Sequence, residues 1–207
     1  SIDFVKGILL ERIAREWEAL SAIKKWKVKI ENLPGLEKPV IEKLENVLNT
    51  MIKRGFYIDQ HWLWHINREK APRLVRQAYE ETDELFKDMG ETLTSLSPKK
   101  LEHLVSLVEG KLKQNGITVF KRELERAIEY AKENAKAEKH PYRTLAGKWI
   151  TFGSADIISK VLPKIIEKLE KENLDYEAKT RVSEEKEYPA IIYVPSFLAL
   201  NLVIRVG

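Results

Sequence analysis

Up to about residue 140 the apolar side chains of this chain recur at three- and four-residue steps; beyond it they alternate or run together. A period near 3.6 lines one side of a helix, whereas a period of two lines one face of a strand. The change of period predicts an α+β protein, with a mostly helical region over 1–142, divisible into two subdomains, and a small sheet backed by one helix over 143–207. Within the first region, Val5, Leu9, Ile13, Trp17 and Leu20 mark a helix from about Asp3 to Lys24. Trp26, Val28 and Ile30 alternate with cations as a short strand or extended arm. A second helix follows Pro39, carries Val40, Ile41, Leu44, Val47, Leu48, Met51 and Ile52 as its stripe, and closes at Gly55.

Leu74, Val75, Ala78, Tyr79, Leu85 and Phe86 mark another helix, ending at Gly90. Ser97 before Pro98 is a helix start, because a serine oxygen can accept from an otherwise unpaired N–H and proline needs no partner for its own nitrogen. That helix runs toward Asn115-Gly116, and the next uses Val119, Phe120, Leu124, Ala127, Ile128 and Ala131 as its inward face before fading into His140-Pro141. Beyond the break, strands are expected at Trp149 to Phe152, Tyr176 to Val182, Ile191 to Val194 and Leu198 to Val206. A helix over Ala155 to Lys171 carries Ile157, Ile158, Val161, Leu162, Ile165, Ile166 and Leu169, and Pro163 should bend it or shift its start.

Composition bounds the chemistry. Lys and Glu fill about a quarter of the 207 positions, the balance of a hyperthermophile-like source, because the penalty for desolvating charge falls as temperature rises. The absence of cysteine excludes disulfides, thiolate nucleophiles and cysteine-based metal sites. A net charge of +4 draws nucleic acid only where the cations cluster. The charged N-terminal stretch is no export signal and the uncharged run Tyr188 to Ile204 is broken by two prolines, so a cytoplasmic protein without a clear membrane segment is expected. The chain begins without Met and stops straight after an apolar run, as a fragment of a longer protein would.

The segment Lys53 to Arg76 interleaves aromatic rings with cations. Arg54, Tyr57, Trp62, Trp64, Arg68, Lys70, Arg73 and Arg76 form the candidate nucleic-acid-binding set, since ring faces can stack bases while Arg and Lys neutralise phosphates. The competing reading sends the rings into the core and the cations onto a solvated face. His61 and His65 share one face at i, i+4, but Trp62 stands where a zinc hydrolase of the His-Glu-x-x-His kind needs its base, and no metal site is assigned. Lys121, Arg122 and Arg126 begin a helix after a turn, as in a helix-turn-helix, yet Glu123, Glu125 and Glu129 among them favour a plain helical hairpin. The acidic run Glu80, Glu81, Asp83, Glu84 and Asp88 reads as a solvated helix face. No phosphate loop, dinucleotide fingerprint or nucleophile elbow is present, so no cofactor is assigned and an enzyme is disfavoured.

Gly147-Lys148-Trp149-x-x-Phe152, Tyr176-x-Ala178-Lys179, Ile191-Ile192-Tyr193-x-Pro195 and Arg205-Val206 together resemble the phosphothreonine-lyase-like domain family. The resemblance covers about 60 residues. It implies a helix-backed curved sheet similar to the messenger-RNA cap-binding initiation factors, and places Lys179 where active members hold a general base; the histidine acid those members need on the first strand has no counterpart here. The expected function is therefore a non-enzymatic binding or interaction protein with nucleic acid or a protein as partner. The alternatives are an enzyme acting on a phosphorylated substrate through Lys179 and Arg181, and a structural component of a larger assembly.

Overall fold

The structure, a computed structural model, describes residues 55–59, 62–181 and 186–207, without the side chains of 57–59 and 159. The expected elements before Gly55 lie outside the described residues. Two strands open the described chain, β1 (Phe56–Asp59) and β2 (Trp62–Ile66), followed by α1 (Ala71–Met89), α2 (Pro98–Gln114) and α3 (Lys121–Asn134). Two 3₁₀ turns, Ala135–Ala137 and Pro141–Leu145, lead to β3 (Gly147–Gly153) and α4 (Ala155–Lys171). The chain then runs through β4 (Glu177–Arg181), β5 (Tyr188–Val194) and α5 (Leu200–Val206). The strands form one sheet in the order β1-β2-β4-β5-β3, with β1–β2 and β2–β4 antiparallel. Helices and a largely antiparallel-paired sheet together make the α+β class expected from the period change.

Contacts divide the chain into two compact units. One takes in the described residues up to Arg68 together with Ile150–Ile192; the other takes Glu69–Trp149 and Tyr193–Gly207. The division expected at residue 142 falls inside the second unit.

In the first unit, β2 reads Trp-Leu-Trp-His-Ile and alternates half-buried with buried, so Leu63 and His65 face inward while Trp62 and Trp64 share the other face. On β4, Ala178 and Thr180 turn inward and Glu177, Lys179 and Arg181 turn outward. Helix α4 buries Ile158, Leu162, Ile166 and Leu169, and its Glu170 lies 3.2 Å from the imidazole of buried His65, tying helix to sheet. Ser154 caps α4 by accepting the N–H of Ile157 at 3.4 Å, and Asp156 favours its first turn. The helix continues through Pro163 as a single element, although proline removes one internal hydrogen bond. Gly55 enters β1 at φ +86°, where an added Cβ would stand 2.8 Å from the backbone oxygen of Ile66. Gly55→Ala should therefore lower stability by about 1–3 kcal/mol, read by chemical denaturation.

The second unit packs Phe86, Leu104, Val108, Ile128, Leu145 and Leu198 into a core in which each is at most 2% exposed. α1 stops at Gly90 in the left-handed region, and α2 starts at Ser97, which accepts the N–H of Lys100 at 3.3 Å. Two buried hydroxyls, Thr82 and Ser196, bond to each other at 2.8 Å, and the Tyr142 hydroxyl donates to Asp83 at 2.6 Å. That bond, together with burial as the larger cause, raises the Tyr142 phenol well above its ordinary range. Glu80, Asp83, Glu84 and Asp88 are exposed and Glu81 is half-buried, so the acidic run is the solvated face expected, with Glu81 accepting the N–H of Asn201 at 2.6 Å.

Two expected elements need correction. Leu198 to Val206 is not a strand: α5 occupies Leu200–Val206, burying Leu200, Leu202 and Val203. A short apolar run has no period that separates the two conformations. Phe120 does not face the core, because α3 begins one residue later and leaves the ring 73% exposed. No helix among the described residues is long and apolar enough to cross a membrane.

Candidate functional site

Antiparallel pairing of β2 with β4 sets Trp64 opposite Lys179 and Trp62 opposite Arg181. Opposed residues on one face stand within side-chain reach of each other and of their diagonal neighbours, which is why long cations find both rings. The Lys179 ammonium sits 3.9 Å from the centre of the Trp62 ring and 4.4 Å from that of Trp64. The Arg181 guanidinium carbon lies 4.9 Å from the Trp62 ring. All four side chains are half-buried. Each such contact is worth about 0.5–2 kcal/mol, the upper figure applying where water is excluded.

The face continues to Glu177, opposite Ile66 and two residues before Lys179. Burial raises the Glu177 carboxyl above its ordinary value, and the Lys179 charge offsets this only in part. A carboxyl raised in the folded state contributes stability that is complete below its unfolded value and is lost as pH climbs through the folded one. Glu177→Gln, which cannot ionise, should therefore melt higher than the parent at pH 7. The difference should close as pH falls below about 4, as read by thermal scans across pH.

The candidate residues divide between the two compact units. Trp62, Trp64, Lys179 and Arg181 come together on one sheet face, so residues assigned from sequence to two alternative sites stand in one cluster. Arg68 is exposed at the end of the same unit, where the chain crosses to Glu69. Lys70, half-buried, and the exposed Arg73 and Arg76 on α1 belong to the other unit. Tyr57 pairs through its backbone with Trp64, but its side chain lies outside the described residues, as do Arg54 and His61. His65 is a core residue, 3% exposed and edge-on to Phe56 at 4.7 Å. Among the described residues no three histidines or carboxylates gather as a metal site.

Sequence reasoning missed Glu177. Its signal was the alternation Glu177, Lys179, Arg181, which already places the three on one side of a strand. It also missed that Trp62 and Trp64 are strand residues, although they alternate with the inward-facing Leu63 and His65. The cluster offers two flat indole surfaces, two basic side chains and one carboxyl, with no nucleophile–base pair among them.

The fold and this face define an α+β protein that carries an aromatic and cationic sheet surface. The family model for basophilic leukemia-expressed protein Bles03 matches residues 49–195, well over half of the chain, and the chain belongs to that family. This match overturns the phosphothreonine-lyase-like assignment, whose motifs were short pieces of a common strand–helix–strand–strand order. No curated protein and no solved structure gives a significant match to the chain.

Proposed function

We propose that this chain is a non-enzymatic binding protein whose Trp62, Trp64, Lys179 and Arg181 face takes single-stranded nucleic acid. The observation that carries the reading is the Lys179 ammonium held over both indole rings, with Arg181 beside it. An unstacked base offers a π surface to a ring, and its phosphate offers a stronger partner to the displaced cation. The exchange gives up cation–π contacts of about 0.5–2 kcal/mol and gains stacking of about 1–3 kcal/mol per base together with counterion release. A duplex keeps its base faces covered and gains only the phosphate contacts. The same reading keeps a hyperthermophile-like source, on composition, and the cytoplasm as the expected site of action.

Titrating the chain with a fluorescein-labelled oligothymidylate of about 20 nucleotides, which exceeds one single-strand site, tests this by anisotropy. Binding should weaken as salt rises, with a log–log slope near −0.7 for each phosphate neutralised. Lys179→Ala/Arg181→Ala should flatten that slope by about 1.4, two phosphate contacts having gone. Arg68→Ala/Arg73→Ala/Arg76→Ala reads the contribution of the exposed arginines separately. No binding at the lowest salt would remove the proposal.

A further inference from the structure

The outward residues of β2 run Trp62, Trp64, Ile66, so two indoles follow one another along the sheet face before an aliphatic side chain takes over. Successive outward residues of an antiparallel strand stand about 6.8 Å apart, two rises of about 3.4 Å. Bases stacked along a nucleic-acid strand are likewise about 3.4 Å apart. Two rings held face to face at twice that distance enclose the thickness of one flat heterocycle, with a stacking contact on each side of it. The Lys179 ammonium already occupies such a place. It lies over both indoles, 3.9 Å from the centre of Trp62 and 4.4 Å from that of Trp64, a position that rings turned away from each other could not share. Arg181 borders the same place at 4.9 Å from the Trp62 ring. The ammonium is a point charge on a flexible four-carbon stem, so it can swing out of the gap and stay beside it.

We propose that Trp62 and Trp64 form a clamp for a single base, which enters the place of the Lys179 ammonium while Lys179 and Arg181 take the phosphates that flank it. The inference rests on the nucleic-acid reading above and narrows its ligand. That ligand is one unstacked nucleotide of a single strand, held on both faces, rather than a row of bases laid one per ring along the sheet. The next outward position argues for a count of one: Ile66 offers no ring, and Glu177 across from it is a carboxyl where a further phosphate would need a cation.

Anisotropy with labelled strands of about 20 nucleotides, abasic except at chosen positions, counts the bases used. One central thymine should raise the affinity at least about 5-fold over the fully abasic strand. A second thymine beside it should add no more than about 2-fold, the statistical gain of a second register, whereas two bases engaging two separate rings would multiply their effects. Trp62→Ala and Trp64→Ala should each weaken the single-thymine strand at least about 5-fold, because each indole covers one face of the same base. With independent rings the lone thymine would move to the surviving indole and lose only about 2-fold. Should an alanine variant fail to fold, the thymine count, made on the parent chain alone, still decides. If oligothymidylate binds and the second thymine adds 5-fold or more, the clamp is overturned and the nucleic-acid reading stands. If oligothymidylate does not bind at the lowest salt, both fall.

Discussion

Phe86→Ala is expected to lower the unfolding free energy by about 3–5 kcal/mol, a large share of the stability of an ordinary domain. The ring is 2% exposed within the core of the second unit and stacks on Tyr142 at 5.9 Å. Its removal leaves a void among side chains that are themselves fully buried, and a packed interior relaxes into such a void only in part. Guanidinium denaturation measures the loss as a lower midpoint at unchanged slope. Phe120→Ala supplies the contrast: that ring is 73% exposed, so the change should stay within about 0.5 kcal/mol. A comparable loss at both positions would mean that α3 does not begin where it is placed.

Trp64→Ala is expected to weaken oligothymidylate binding by about 5- to 150-fold, the equivalent of losing one stacked base. Trp62→Ala should behave alike. Lys179 contacts both rings, so its effect should depend on theirs: Lys179→Ala should cost more in the parent than in the double tryptophan variant. Anisotropy at constant salt with all four proteins reads this coupling. Strictly additive losses would show that the ammonium and the indoles act as separate contacts rather than as one exchanging cluster.

The parts of the fold legible in the sequence were those with local punctuation. The Ser97-Pro98 start, the Gly90 stop and the stripe from Ile158 to Leu169 each follow from bonds or burial within a few residues. α5 was not legible, because seven apolar-rich residues suit a buried strand as readily as a helix. β2 was obscured for a related reason: its outward face is tryptophan, so the alternation of buried with half-buried residues is not an alternation of apolar with polar. The candidate site was legible as residue types and not as a place. Trp64 and Lys179 meet only because β2 and β4 pair across more than a hundred residues, and no local spacing encodes that register. Arg73 and Arg76, cations near Trp64 in sequence, lie past the crossing at Arg68 and Glu69 and belong to the other compact unit.

The return of the chain to its first compact unit at Ile150 has a consequence for biosynthesis. On a ribosome, α1, α2 and α3 emerge with their helical contacts close at hand, whereas β2 must wait for β4 to leave the exit tunnel. Closing so long a loop is slow and entropically opposed until the late strand arrives. Nascent chains halted before Glu177 should therefore hold their helices yet lack the indole–ammonium cluster, and any capacity that cluster confers would appear only once β4 has emerged.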